Sequence, residues 1–183
     1  MKQVILLTGT SGAGKSTISA ELASVYGADW IQEREVSRGL AAEQGFMRSR
    51  HWLQAAGIEE VAEQIAAASF RLVSESTKDL VVVDGVYDTK LHSRLEADAG
   101  VDSVVAEVTA PFELRAHRYA MRLGGVALGQ ARREVDYLDS IKTEAGAALL
   151  AERAAVSVVN DGQLNEAIDQ ILKVIQLPLQ TNR

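Results

Sequence analysis

The residues from Gly9 to Ser16 have the types and the spacing of a loop that binds a polyphosphate. Glycine is needed in such a loop where φ is positive or where a Cβ atom would collide with phosphate. Lys15 would supply a mobile positive charge, and Ser16 a hydroxyl for Mg²⁺. The pattern predicts binding of a nucleoside triphosphate, with a glycine-rich turn that binds nothing as the alternative. The predicted nucleotide-binding residues are Gly9, Thr10, Ser11, Gly12, Ala13, Gly14, Lys15, Ser16 and Thr17.

The sequence on either side of this loop supports the prediction. The apolar run Val4–Leu7 is typical of a buried strand, and a helix is expected from Ser16 to about Tyr26. In a strand–loop–helix unit, successive backbone N–H groups and the positive end of the helix dipole point toward a bound anion.

A candidate metal ligand follows a second buried strand. The run Leu80–Val83 is apolar on both faces, as in a strand inside a parallel sheet, and it ends at Asp84. A carboxylate at this edge of the sheet could hold Mg²⁺ through water, together with Ser16. The alternative is that Asp84 caps the turn that follows.

Three arginines lie on one predicted helix. Arg115, Arg118 and Arg122 are three and four residues apart and therefore share one stripe. Like charges at this spacing destabilise an isolated helix, which favours a position beside a polyanion. We expect Arg118, Arg122 and Lys15 to be catalytic residues, because cations stabilise charge on a transferring phosphoryl group. Asp84 is the fourth expected catalytic residue, through the metal ion. The alternative is a solvated basic face.

The segment at about 123–133 contains three glycines and is predicted to form a small lid beside these arginines. On the other side, Glu33–Arg38 follows a second short strand, where an acceptor would meet the γ-phosphate. Arg38 could hold an acceptor phosphate, and Glu35 lies one turn earlier, so these two are the predicted acceptor-binding residues. A hydroxyl acceptor would instead need a carboxylate, a role open to Glu33, Glu35 or Asp84.

Strand and helix signals alternate along the chain, which predicts an α/β fold with a parallel sheet covered by helices on both faces. The length of 183 residues suits a single domain over 1–183. The residues from about 177 to 183 are expected to form a loose tail.

Composition narrows the class of protein. The net charge of −6 argues against a nucleic-acid partner. No cysteine is present, so disulfides and thiolate metal sites are excluded and a reducing cytoplasm is the simplest setting. No apolar stretch is long enough for a membrane helix, and the early first strand leaves no room for a signal peptide. We expect a cytoplasmic monomer or homodimer that acts on a small molecule.

With these motifs, the chain resembles P-loop kinases of the nucleoside-monophosphate-kinase type, in particular the adenylate-kinase-related family and dephospho-CoA kinase. The likeness covers nearly the whole chain. It is carried by the phosphate-binding loop (P-loop), Glu35-Val-Ser-Arg38, Val83-Asp84-Gly85, Ala110–Glu113 with Arg118 and Arg122, and Val158–Gly162.

The resemblance implies a three-layer P-loop NTPase fold with five parallel strands and a short lid. It also implies that Asp84 and the P-loop lie on adjacent strands, that Asn160 lies near the adenine of ATP, and that Arg118 and Arg122 border the lid. The chain departs from the family where Glu35 replaces an Asp and where Leu138 precedes Asp139 in place of an Arg. Arg132 or Arg133 could replace that missing arginine.

The sequence thus predicts transfer of the γ-phosphoryl group of ATP, with Mg²⁺, to a small acceptor, with a nucleoside monophosphate favoured. A hydroxyl-directed kinase of the dephospho-CoA kinase type is the first alternative. The alternative from another class is a nucleotide-binding switch or slow NTPase that has no acceptor.

Overall fold

A computed structural model describes residues 1–175, so the tail predicted for about 177–183 lies outside the described residues. Within residues 1–175, five parallel strands form one sheet, as expected. The strands are β1 Lys2–Thr8, β2 Asp29–Gln32, β3 Leu80–Asp84, β4 Val101–Thr109 and β5 Val156–Val159. Their order across the sheet is β2-β3-β1-β4-β5.

Helices cover both faces of this sheet. They are α1 Lys15–Tyr26, α2 Glu33–Glu43, α3 Ser49–Ala56, α4 Ile58–Glu75, α5 Lys90–Glu96, α6 Phe112–Arg122, α7 Leu128–Glu144, α8 Ala147–Ala151 and α9 Leu164–Val174. None of them is both long and apolar enough to cross a membrane.

Alternate residues of the central strand β1 enter two separate cores, because successive side chains of a strand point to opposite faces. Ile5 and Leu7 pack with apolar residues of α1 and α9, whereas Val4 and Leu6 pack with those of α4 and α5. The result is the predicted three-layer arrangement.

The sheet order places the carboxyl end of β1 beside that of β3. Leu7 of β1 is in register with Asp84 of β3, so Asp84 lies next to the P-loop as the resemblance implied. The strand order reverses around β1, and ligands of open α/β sheets bind in the crevice at such a point.

Helix α2 begins at Glu33, directly after β2. One element differs from the sequence prediction. The predicted lid at about 123–133 is partly helical, because α7 begins at Leu128. The connection between α6 and α7 is therefore 123–127, where Gly124 and Gly125 have φ of 79° and 86°. That this connection closes over a ligand stays a prediction.

Candidate active site

Three glycines shape the loop between β1 and α1. Gly9, Gly12 and Gly14 have φ of 115°, 77° and 96°, in the left-handed region that side chains disfavour. A Cβ atom on Gly14 would lie 2.4 Å from Nδ2 of Asn160, and one on Gly12 would lie 2.8 Å from the carbonyl oxygen of Arg115. Backbone conformation and close packing therefore both require glycine in this loop.

Lys15 is the first residue of α1 and is only 6% exposed. Its Nζ donates hydrogen bonds to the carbonyl oxygens of Gly9 at 2.9 Å and Thr10 at 2.8 Å. Burial lowers the pKa of Lys15 to about 8, although Asp84 and Asp139 oppose the shift. At neutral pH the ammonium group is therefore still mostly charged and can bind phosphate oxygens.

The two predicted metal ligands are in direct contact. Ser16 Oγ donates a hydrogen bond to Asp84 Oδ2 at 2.6 Å. Within residues 1–175, no three Asp, Glu, His or Cys side chains form a cluster that could hold a metal alone. Mg²⁺ is commonly bound by one or two protein oxygens together with substrate phosphates and water. Ser16 and Asp84, beside a loop shaped for phosphates, fit a magnesium ion that arrives with a nucleotide.

Asn160 follows β5 and joins Arg118 to the P-loop. Its side-chain Nδ2 donates a hydrogen bond to the backbone carbonyl oxygen of Ala13 at 2.8 Å. Its backbone carbonyl oxygen accepts a hydrogen bond from Arg118 Nη1 at 3.1 Å. Arg118 and Asn160 line a cavity that extends from the P-loop to α2. Arg122, one turn further along α6, lines this cavity too, with its guanidinium 4.8 Å from the centre of the Tyr119 ring. The structure therefore brings Arg118, Arg122 and Asn160 together at the loop.

Arg115 does not line this cavity, in contrast to the stripe predicted from its spacing. It is 8% exposed, and its Nη1 donates to Asp139 Oδ2 at 2.5 Å and to the carbonyl oxygen of Ser11 at 3.1 Å. The backbone N–H of Ser11 donates to Asp139 Oδ1 at 2.7 Å. Although burial opposes it, the hydrogen bonds from Ser11 and Arg115 hold the pKa of Asp139 below its usual value. Arg115 and Asp139 therefore hold the backbone of the loop in place at Ser11.

Lys142 on α7 is a cavity cation that the sequence analysis missed. Its Nζ lies 2.5 Å from Ser11 Oγ and 4.5 Å from the centre of the Tyr87 ring. Burial, with a further contribution from the charge of Lys15, lowers the pKa of Lys142 to about 6. The signal in the sequence was its position three residues after Asp139, which places both side chains on one face of α7.

Arg132 and Arg133 were the residues that could replace the arginine missing before Asp139. Arg132 is exposed, and its Nη2 lies 2.7 Å from Glu113 Oε2. Neither arginine is among the described residues that line the cavity.

On the acceptor side, the α2 residues that line the cavity are not the ones predicted from the sequence. Glu35 and Arg38, the predicted acceptor-binding pair, are exposed and bind each other, with Arg38 Nη1 2.8 Å from Glu35 Oε1. Glu33, Arg34 and Ser37 line the cavity instead. The reason is the start of α2: Glu33 and Ser37 are four residues apart and face inward, so Glu35 faces outward.

Glu33 is the most deeply buried carboxylate on this side, at 7% exposure. Burial, strengthened by the nearby charge of Asp88, raises its pKa well above the usual value. Within residues 1–175 it forms no ion pair.

Two adjoining cavities contain these groups. The larger has a volume of about 690 Å³ and extends from the P-loop to α2. The smaller has a volume of about 250 Å³ and shares five lining residues with the larger: Glu33, Ser37, Ile65, Tyr87 and Leu138. Apolar side chains from α3, α4 and α7 line the smaller cavity: Leu53, Ile58, Val61, Ile65, Leu138 and Ile141. Of the predicted loop residues, Ser11, Gly12, Gly14, Lys15, Ser16 and Thr17 line the larger cavity.

Solved structures share this fold at low sequence identity. A shikimate kinase from Acinetobacter baumannii in complex with shikimate is 19% identical, with a TM-score of 0.60 over 96% of this chain and 93% of that chain. A gluconokinase from Sinorhizobium meliloti 1021 is 17% identical, with a TM-score of 0.62 over 94% and 91%. TT1252 from Thermus thermophilus is 21% identical, with a TM-score of 0.63 over 95% and 96%. These likenesses confirm the P-loop kinase fold, and the narrower resemblance to adenylate kinase and dephospho-CoA kinase stays a prediction.

A comparison with curated proteins finds no significant match. A family model described as an AAA domain matches residues 4–124, which include the P-loop, Asp84 and the arginines of α6. Because this match spans more than half of the chain, the protein belongs to the AAA domain family.

Proposed function

We propose that this protein transfers the γ-phosphoryl group of ATP, with Mg²⁺, to a hydroxyl group of a small acceptor. The observation that carries the proposal is one continuous cavity, which joins Lys15 and the Ser16–Asp84 pair to the buried carboxylate of Glu33. Cations at one end suit a polyphosphate, and a carboxylate at the other suits a hydroxyl that must lose its proton. Two proteins with this fold, a shikimate kinase and a gluconokinase, are small-molecule kinases by name.

On the donor side, the P-loop amides and Lys15 hold the β- and γ-phosphates, and Ser16 and Asp84 hold Mg²⁺. When bound, the ion neutralises phosphate charge and orients the transferring group. Arg122 and Lys142 line the cavity beside the loop, where they stabilise the charge that develops during transfer. Arg118 shares this role and keeps Asn160, the expected adenine neighbour, against the loop.

On the acceptor side, Glu33 takes the proton of the attacking hydroxyl. A general base works best when its pKa lies near the working pH, and burial raises the pKa of Glu33 in that direction. A nucleoside monophosphate is the weaker candidate, because its phosphate would lie beside Glu33. Glu35 and Arg38, the pair expected to bind it, lie outside the cavity.

The test is a screen of acceptors with radiolabelled ATP and Mg²⁺. We expect label on hydroxyl compounds, acceleration of ADP release by those compounds, and loss of transfer in Glu33→Gln with ATP binding retained. Glu43→Gln, the same change at an exposed position of α2, is the matched control. Diphosphates formed from nucleoside monophosphates would restore the alternative acceptor. Hydrolysis at one rate with every acceptor would favour the slow NTPase.

A further inference from the structure

We propose that the acceptor carries a positively charged amine next to its reacting hydroxyl, and that the smaller cavity binds this amine through Glu33 and Asp88. The proposal rests on the function proposed above and specifies the class of acceptor: an amino alcohol with an apolar body.

The shape and lining of the smaller cavity support the apolar body. Its volume of about 250 Å³ is below the roughly 300–1,000 Å³ of sites for drug-sized ligands, so the acceptor is small. Leu53, Ile58, Val61 and Ile141 form much of its wall. Such walls favour an apolar group. The polar side chains of the lining are Glu33, Ser37, Ser49, Arg50, Tyr87 and Asp88.

Two carboxylates without cationic partners support the amine. Glu33 is 7% exposed and lines both cavities, and Asp88 is half-buried and lines the smaller one. Asp88 Oδ1 accepts a hydrogen bond from the backbone N–H of Lys90 at 2.7 Å. Within residues 1–175, neither carboxylate forms an ion pair. A buried carboxylate is costly unless it is protonated or paired, and an ammonium group would pair it.

Two cations near this cavity pair with other carboxylates. Lys90 Nζ lies 2.6 Å from Glu59 Oε1. Arg50, which lines the rim, has its guanidinium 4.8 Å from the centre of the Tyr137 ring and its Nη2 3.9 Å from Glu134 Oε2. Neither Lys90 nor Arg50 therefore forms an ion pair with Glu33 or Asp88.

The transfer step is balanced with this acceptor. The hydroxyl oxygen forms a bond to the γ-phosphorus, the bond from that phosphorus to the β–γ bridging oxygen breaks, and ADP leaves. The hydroxyl proton passes to Glu33. The ammonium group keeps its protons throughout and serves to orient the acceptor, with Asp88 as its counter-charge once Glu33 is protonated.

Binding of matched small probes tests the proposal without requiring turnover. We would titrate the intact protein, in the presence of Mg²⁺ and a non-hydrolysable ATP analogue, with phenylalaninol, phenylpropanol, phenyllactate and AMP. These are an amino alcohol, its neutral counterpart, its acidic counterpart and a nucleoside monophosphate. Calorimetry should show at least about tenfold tighter binding of phenylalaninol than of phenylpropanol, the scale of one charge-assisted hydrogen bond.

The preference should fall several-fold in Asp88→Asn, since asparagine keeps the acceptor for the Lys90 N–H but loses the charge. Asp102→Asn, at an exposed position of β4, should leave it unchanged. Equal binding of the amine and the neutral alcohol, tighter binding of phenyllactate or AMP, or no binding of phenylalaninol would each overturn the proposal. Amine binding without transfer to any acceptor would instead contradict the proposed kinase activity.

Discussion

Asp139 holds Arg115 with one carboxylate oxygen, at 2.5 Å, and the backbone N–H of Ser11 with the other, at 2.7 Å. Helix α7 is thereby attached to the P-loop through an ion pair of the buried Arg115 with the half-buried Asp139. Since Lys142 lies on the same face of α7, this attachment also sets the position of a cation that we assign to the transferring phosphate.

Arg115→Met should destabilise the protein by about 1.5–3 kcal/mol, the scale of a hydrogen bond to a charged group, because Asp139 loses its arginine partner but keeps the Ser11 N–H and a contact with Lys142. Because the folded-state pKa of Asp139 is lowered, its stabilising contribution is present above its usual pKa and disappears as pH falls through the folded value. The difference in unfolding free energy between wild type and variant, measured in urea, should therefore shrink in acid. Arg132→Met, at the exposed pair with Glu113, should change the stability little, because exposed ion pairs contribute little to folding. Equal losses of unfolding free energy in both variants would contradict a stabilising role for the Arg115–Asp139 pair.

ATP binding should be accompanied by proton uptake. The pKa of Lys142 is about 6 and that of Lys15 about 8 in the free protein, so near neutral pH Lys142 is mostly uncharged. Phosphate oxygens raise the pKa of a nearby ammonium, and the protein then gains a proton. Calorimetry in two buffers of different ionisation enthalpy measures this gain.

Lys142→Met should reduce the proton uptake and lower kcat, by on the order of 10²-fold for one lost charge-stabilising donor. Its control is Lys173→Met, at an exposed position of α9. Unchanged proton uptake in Lys142→Met would remove Lys142 from the phosphate site.

Gly14→Ala should abolish ATP binding, since its Cβ would lie 2.4 Å from Nδ2 of Asn160. Gly27→Ala is the comparison, because Gly27 also has a positive φ of 64° but has nothing within 4 Å of an added Cβ. Both variants should lose stability from backbone strain, and only Gly14→Ala should lose ATP in a titration. Normal ATP affinity in Gly14→Ala would show that Asn160 can move without disturbing the loop.

Arg118→Ala and Arg122→Ala should differ in their effect on ATP affinity. The guanidinium of Arg122 lines the cavity and lies 4.8 Å from the centre of the Tyr119 ring, so its removal should lower kcat by on the order of 10²-fold with little change in ATP affinity. Arg118 holds the carbonyl oxygens of Ala13 and Asn160, so its removal should weaken ATP binding as well. Steady-state kinetics with ATP titrations separate these effects, and matching profiles would mean that the two roles are wrongly assigned.

The donor half of the site could be predicted because its signals are local. The P-loop, Lys15 and Ser16 are consecutive, and the apolar run before Asp84 indicates a buried strand whose end lies at the same sheet edge. The acceptor half depends on where α2 begins. A start at Glu33 turns Glu33 and Ser37 inward and Glu35 outward, and the sequence carries no clear signal for that start. Arg115 and Lys142 acquire their surroundings from α7 packing against the loop, a tertiary contact that spacing on one helix does not reveal.

Tyr87 lines both cavities, and the centre of its ring lies 5.6 Å from Lys15 Nζ and 4.5 Å from Lys142 Nζ. A substitution at Tyr87 would disturb the donor and the acceptor together. The apolar wall formed by Leu53, Ile58 and Val61 touches only the acceptor side. A new substrate range can therefore evolve through changes in the size of these three apolar side chains, while the residues that bind phosphate stay the same.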